Sequence, residues 1–168
     1  MRYADCPTTE ATVHVAAPPE RLWPLVTDIA LIASLSTELQ EVEWLDGAEG
    51  PAVGHRFRGR NAHPAIGEWT TVSHVVECAE PHVFAWAVHD PDHPSASWRF
   101  ELSVRDDGTD LRQWAQLGPG PSGLTPAIEQ MPDKEERIVA GRLKEFRAGI
   151  ETNLAALRDI AEARPVDS

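Results

Sequence analysis

The sequence predicts an α+β fold in which a curved antiparallel sheet of six to seven strands wraps around one long C-terminal helix, with two short helices after strand 1. Three observations carry this. From Glu38 to Leu117 the apolar residues recur with period two, and turn residues punctuate the run. From Asp133 onward they recur at the spacing of one helix face. Only two short helical stretches lie between strands, too little for a series of βαβ crossovers, so a doubly wound sheet is not expected.

Each element follows from its residues. The run Glu10-Ala-Thr-Val-His-Val-Ala16 is rich in β-branched residues and stops at Pro18-Pro19, which makes it the first strand. Pro19 suits the first turn of a helix, where no N–H is needed, and Arg21 to Val26 continues that helix. Pro24 should shorten or kink it. Asp28 can cap a second helix, Ile29 to Leu35. Six strands are then expected at 39–45, 53–61, 67–77, 82–89, 96–105 and 109–117. Asp46-Gly47, Pro64 to Gly67, Glu80-Pro81, Pro91 to Pro94 and Asp106-Asp107-Gly108 separate them with turn chemistry. Short connections between consecutive strands make an antiparallel meander, and the Gly118 to Gly123 segment, with Pro119 and Pro121, ends it. Pro132, then Asp133 and Glu136 in capping-box spacing, open the last helix. Its apolar face is Val139, Leu143, Phe146, Ile150, Leu154, Leu157 and Ala161, and Arg164-Pro165 stops it. A helix of about 28 residues spans roughly 42 Å.

The bulk numbers narrow the function classes. A chain of 168 residues fits one domain at a prior of roughly 150 residues per domain, so residues 1–168 are expected to form one domain with an ordered core over about 8–162. The net charge of -12 repels phosphate backbones and anionic membrane surfaces, so nucleic-acid binding is not expected, and integral membrane association is not expected because no run approaches the roughly 18 apolar residues of a span. The two cysteines, Cys6 and Cys78, form neither a disulfide framework nor a metal spacing. Met1 to Pro7 lacks the apolar core of a signal peptide, and no apolar run is long enough to span a membrane, which makes the cytoplasm the default location.

A twisted sheet of this size curls, and one helix covers only a strip of its concave face. Space for a ligand is therefore expected between sheet and helix, with Gly54, Gly59 and Gly67 as candidate bending points. Strand alternation puts His55, Phe57 and Asn61 on the inner face and Arg56, Arg58 and Arg60 on the wet face. By the same rule Trp69 and Thr71, Phe84 and Trp86, and Trp98 and Phe100 point inward, facing Leu143 and Phe146 of the helix. Aromatic side chains bring large apolar area at low entropy cost, and an indole N–H can orient a ligand oxygen. These residues are the expected ligand-binding set, with plain core packing as the competing reading.

Six stretches stand out: Ala17-Pro18-Pro19-Glu20-Arg21-Leu22-Trp23, Gly54 to Asn61, Glu68-Trp69-Thr70-Thr71, Phe84-Ala85-Trp86, Trp98-Arg99-Phe100 and Gly118 to Leu124. Together they resemble a bacterial polyketide cyclase/dehydrase-like subfamily of the helix-grip, START-like superfamily. The resemblance covers about residues 8–162. It implies the helix-grip fold and an internal cavity for a lipid-like or polyketide-like ligand, and it does not carry a reaction type.

The chemistry-bearing residues leave function open. Of seven histidines none has a metal spacing, and there is no GxSxG, P-loop or dinucleotide loop, so neither a metal nor a cofactor is expected. His55 and His89 are the candidate general acid/base residues, since imidazole exchanges a proton near neutral pH. Cys78 has no basic neighbour in sequence and reads as structural. The first functional reading is binding of a small hydrophobic or aromatic ligand. The alternative is an aromatase/cyclase-dehydratase-type enzyme on a polyketide, with His55, Asn61 and Trp69 at work. The third is a partner-binding module of the stress or co-chaperone type, and a homodimer stays open.

Overall fold

Residues 1–163 are described by a computed structural model. Strand β1 (Thr8–Val15) leads into α1 (Pro19–Val26) and α2 (Ile29–Leu35). The meander follows as β2 (Leu39–Trp44), β3 (Arg56–His63), β4 (Gly67–Ala79), β5 (Val83–Val88), β6 (Ala96–Arg105) and β7 (Gly108–Leu117). Then come a short helix α3 (Thr125–Gln130), a 3-10 turn (Pro132–Lys134) and α4 (Glu135–Ala163). All neighbouring strands pair antiparallel in the order β1-β7-β6-β5-β4-β3-β2, so β1 returns to the far edge beside β7. This is the helix-grip architecture that the sequence predicts.

Local chemistry explains the short helices. Pro19 opens α1 at its first position, and the Asp28 carboxylate accepts the Leu31 N–H at 3.1 Å to cap α2. Two expectations are corrected. Asp133 forms no cap bond among the described residues; Pro132–Lys134 winds as a 3-10 turn and the helix begins at Glu135. The sheet bends where the register slips, at Val75/Glu77 and Leu39/Glu41. Gly54 and Gly67 sit outside that bend with φ of 90° and 93°, as turn residues. Helices α3 and the 3-10 turn Tyr3–Asp5 went unpredicted, because each is under two turns long and carries no periodicity. The expected stop at Arg164-Pro165 lies outside the described residues.

The core sits where α4 crosses β1, β7 and α1. Ile150, Leu154, Leu157 and Ala161 meet Val15, Leu22, Phe100 and Leu111, all fully enclosed. The N-terminal half of α4 covers a smaller cluster of Leu117, Leu124 and Val139. The convex face of the sheet is wet and charged. Glu10, Arg112, Glu101, Arg99 and Glu77 form a continuous ion-pair chain across it, and Arg58 and Arg60 pair with Glu43 and Glu41. The arginine face of β3 is thus outside, as alternation requires.

Candidate functional site

Between the concave sheet face and α4 lies a cavity of about 510 Å³, in the size range of small-molecule sites. The strand register orders its lining in rows, because directly paired residues share a face. The outermost row is Asn61 with Trp69. Gly59 with Thr71 comes next, then Phe57, Ser73 and Val88, then Trp86 with Trp98, and innermost Phe84 and Gln113, on either side of the covered Phe100. Beyond that row Leu111, Leu154 and Leu157 are fully buried and fill the space. Helix α4 contributes Arg142, Phe146, Gly149 and Asn153 to the opposite wall, and Val26, Ile29, Ile32 and Leu35 close one side from α1 and α2.

The walls are aromatic. Trp86 and Trp98 are direct cross-strand partners and stack with ring centroids 6.3 Å apart and planes 15° apart. Phe146 reaches down from α4 to 4.7 Å from Trp98, and Phe57 meets Trp86 edge-on at 5.8 Å. Polar side chains interrupt the apolar lining at both ends. Asn61 Nδ2 donates to Thr71 Oγ1 at 3.3 Å near the outer end. At the inner end Asn153 Nδ2 donates to Gln113 Oε1 at 3.2 Å.

The rim carries the charge. Glu38, just before β2, and Glu145 on α4 lie with His63 at the end of β3, all three offering ligand atoms within 4.8 Å of one another. Three such groups invite a cation, but a guanidinium already compensates them. Arg142 donates to both oxygens of Glu38 at 2.7 and 2.8 Å and stands 3.5 Å from Glu145. A dication would have to displace it.

Eight of the ten expected ligand-binding residues line the cavity: Phe57, Asn61, Trp69, Thr71, Phe84, Trp86, Trp98 and Phe146. Two do not. Phe100 shares the inner row but is wholly covered, and Leu143 turns into the satellite cluster around Val139. Neither candidate general acid/base reaches the cavity. His55 precedes β3; its Nδ1 donates to the Gly50 carbonyl at 2.8 Å and its ring lies against Trp44, in a separate surface recess. His89 is exposed after β5, at φ 68°. Cys78 lies outside the cavity lining, and burial, with Glu80 nearby, pushes its thiol up, which suits a structural role. The polar lining that sequence reasoning missed includes Gln113, Asn153, Glu38, Arg142 and Glu145. Gln113 had a signal, as the one polar residue in the inward alternation Leu111, Gln113, Ala115, Leu117.

A sheet that grips a long helix around an aromatic-walled cavity defines the class: a helix-grip fold with an internal pocket. The chain belongs to the polyketide cyclase / dehydrase and lipid transport family, whose profile matches residues 7–162. Among solved structures it is similar to the polyketide cyclase-like protein Cgl2372 of Corynebacterium glutamicum, at 30% identity and TM-score 0.64 over 92% of this chain and 91% of that one. The Zhui aromatase/cyclase of Streptomyces sp. R1128 is 19% identical with TM-score 0.65, covering 94% of each chain. The di-domain aromatase/cyclase BexL of the BE-7585A biosynthetic pathway is 18% identical with TM-score 0.71 over 94% of this chain, which spans 50% of that protein. At such identities these last two show a shared fold. No functionally curated protein matches the chain. No helix among the described residues is long and apolar enough to cross a membrane.

Proposed function

We propose that this protein binds a flat, mostly apolar small molecule, aromatic or polyketide-like, in the cavity between sheet and α4. The observation that carries the reading is the continuous aromatic wall of Trp86, Trp98 and Phe146, with Phe146 4.7 Å from Trp98, lining a cavity of about 510 Å³. A wall of this kind favours planar ring systems over flexible chains. Native mass spectrometry of the purified protein, with calorimetric titration of aromatic and fatty-acid panels, tests it. Co-purification or micromolar binding of an aromatic ligand with a raised melting temperature is expected. A flat response across both panels sinks the reading.

The cyclase alternative has one supporting observation beside the aromatase/cyclase neighbours. Glu145 lines the cavity and pairs with His63 at 2.5 Å, which makes a rim pair able to take up or deliver a proton. Turnover of a polyketide analogue that is lost in Glu145→Gln, with binding kept, would favour it. The partner-binding alternative has less support, because the convex face is a lattice of ion pairs rather than an apolar patch.

A further inference from the structure

Gln113 is the most buried polar side chain that lines the cavity, at 1% exposure, and its row is the innermost one. It lies between Phe100 and Ala11 on the neighbouring strands, both apolar. Its Oε1 is used, since it accepts the Asn153 Nδ2 hydrogen at 3.2 Å. Its Nε2 amide meets no protein acceptor among the described residues. Among the described residues no fully enclosed side-chain nitrogen or oxygen lacks a partner, so Nε2 keeps an accessible edge, and Gln113 lines the cavity. An amide donor at the inner end of the pocket with no protein acceptor is available to whatever fills that pocket. The Asn153 bond fixes which way the amide plane turns and polarises the free N–H.

We infer that Gln113 determines specificity: its Nε2 donates to a carbonyl or phenol oxygen at the inner end of a flat aromatic ligand, with Asn153 as the positioning residue. The assignment rests on the binding function proposed above and narrows its ligand class to oxygenated ring systems. A pure hydrocarbon of the same shape strips solvent from Nε2 and returns no bond, which disfavours it. A carbonyl replaces the lost solvent bond, and the aromatic rows on either side hold the ring.

The test compares two isosteres, 2-acetylnaphthalene and 2-isopropenylnaphthalene, by isothermal titration calorimetry against the wild-type chain, Gln113→Met and Gln113→Glu. Wild type is expected to favour the ketone by about tenfold. Gln113→Met keeps the side-chain length, removes the donor and is expected to erase or invert that preference. Gln113→Glu keeps the acceptor for Asn153, removes the donor, and is expected to reject the ketone even if the methionine variant fails to fold. Equal wild-type affinity for both probes, or a ketone preference that survives in either folded variant, overturns the assignment and leaves the binding function standing. Wild type that binds neither probe overturns both.

Discussion

The Arg142 guanidinium holds the Glu38 carboxylate through both Nη atoms, at 2.7 and 2.8 Å, while its plane stands 4.9 Å over the Phe146 ring. One buried side chain thus fastens α4 to the segment leading into β2, and it does so at the cavity rim. Glu38 is held from its backbone too, since its carbonyl accepts the Ala62 N–H at 2.8 Å. Arg142→Met keeps the packing stem and removes the fork. It is expected to destabilise the chain by about 1–3 kcal/mol, because Glu38 keeps its desolvation and loses its partner. Adding Glu38→Gln should return part of that loss. Urea melts of the two single variants and the double variant measure the coupling, and strictly additive effects would contradict the pairing.

The aromatic wall makes a second prediction. Trp98 stacks with Trp86 and lies 4.7 Å from Phe146 by ring centroids. Trp98→Leu keeps apolar bulk in the row and removes the ring faces. An aromatic ligand should lose up to about tenfold in affinity, in line with roughly 0.5–1.5 kcal/mol per aromatic pair. A fatty acid of similar size should lose little. Equal losses for both ligands would show that Trp98 only fills volume.

Sequence reasoning recovered what periodicity encodes and missed what depends on three-dimensional closure. The seven strands and α4 were legible, because period two and period near 3.6 each follow from which face is buried. The inward Trp69, Trp86 and Trp98 came from the same parity. His55 shows the limit. It shares parity with Phe57, but the chain turns at Gly54 (φ 90°) before β3 begins, so parity holds while the residue lies past the cavity edge. Leu143 belongs to the apolar stripe of α4, yet its neighbour Arg142 is the one that faces the cavity. An apolar template passes over a charged residue whose burial is made tolerable by a partner 104 positions away. The Glu38, His63 and Glu145 cluster is drawn from three elements and has no spacing to read.

Two glycines should respond to alanine with opposite sign. Gly141 lies exposed on α4 and an added Cβ meets nothing within 4 Å. Gly141→Ala is expected to stabilise by about 0.5–1 kcal/mol, because alanine loses less backbone freedom on entering a helix. Gly108 opens β7 at φ 151°, and a Cβ there would stand 2.0 Å from the Val15 carbonyl oxygen. Gly108→Ala must push β1 away from β7 and should lower the melting temperature by several degrees. Thermal melts of the two variants against wild type decide the matter; a shift of the same sign in both would contradict the geometry.

The last prediction concerns acid. The Glu135 carboxylate accepts the Tyr3 N–H at 2.8 Å and the Arg2 guanidinium at 3.0 and 3.2 Å, which ties the N-terminal turn to the start of α4. The backbone bond first, and the guanidinium beside it, hold its pKa below the usual carboxylate value. A carboxyl whose folded pKa is depressed adds stability above its unfolded pKa, and that contribution fades as pH falls through the folded value. The chain should therefore lose this anchor on acidification below the ordinary carboxylate range, roughly pH 4. Tyr3 goes with it, since its hydroxyl donates to the Gly120 carbonyl at 2.5 Å and pins the loop after β7. Glu135→Gln keeps the side-chain shape and one acceptor while removing the titration. Its melting temperature should sit below wild type at neutral pH and converge on it as pH falls through about 4 to 3. Parallel pH profiles of the two proteins would show that Glu135 does not carry this part of the acid response.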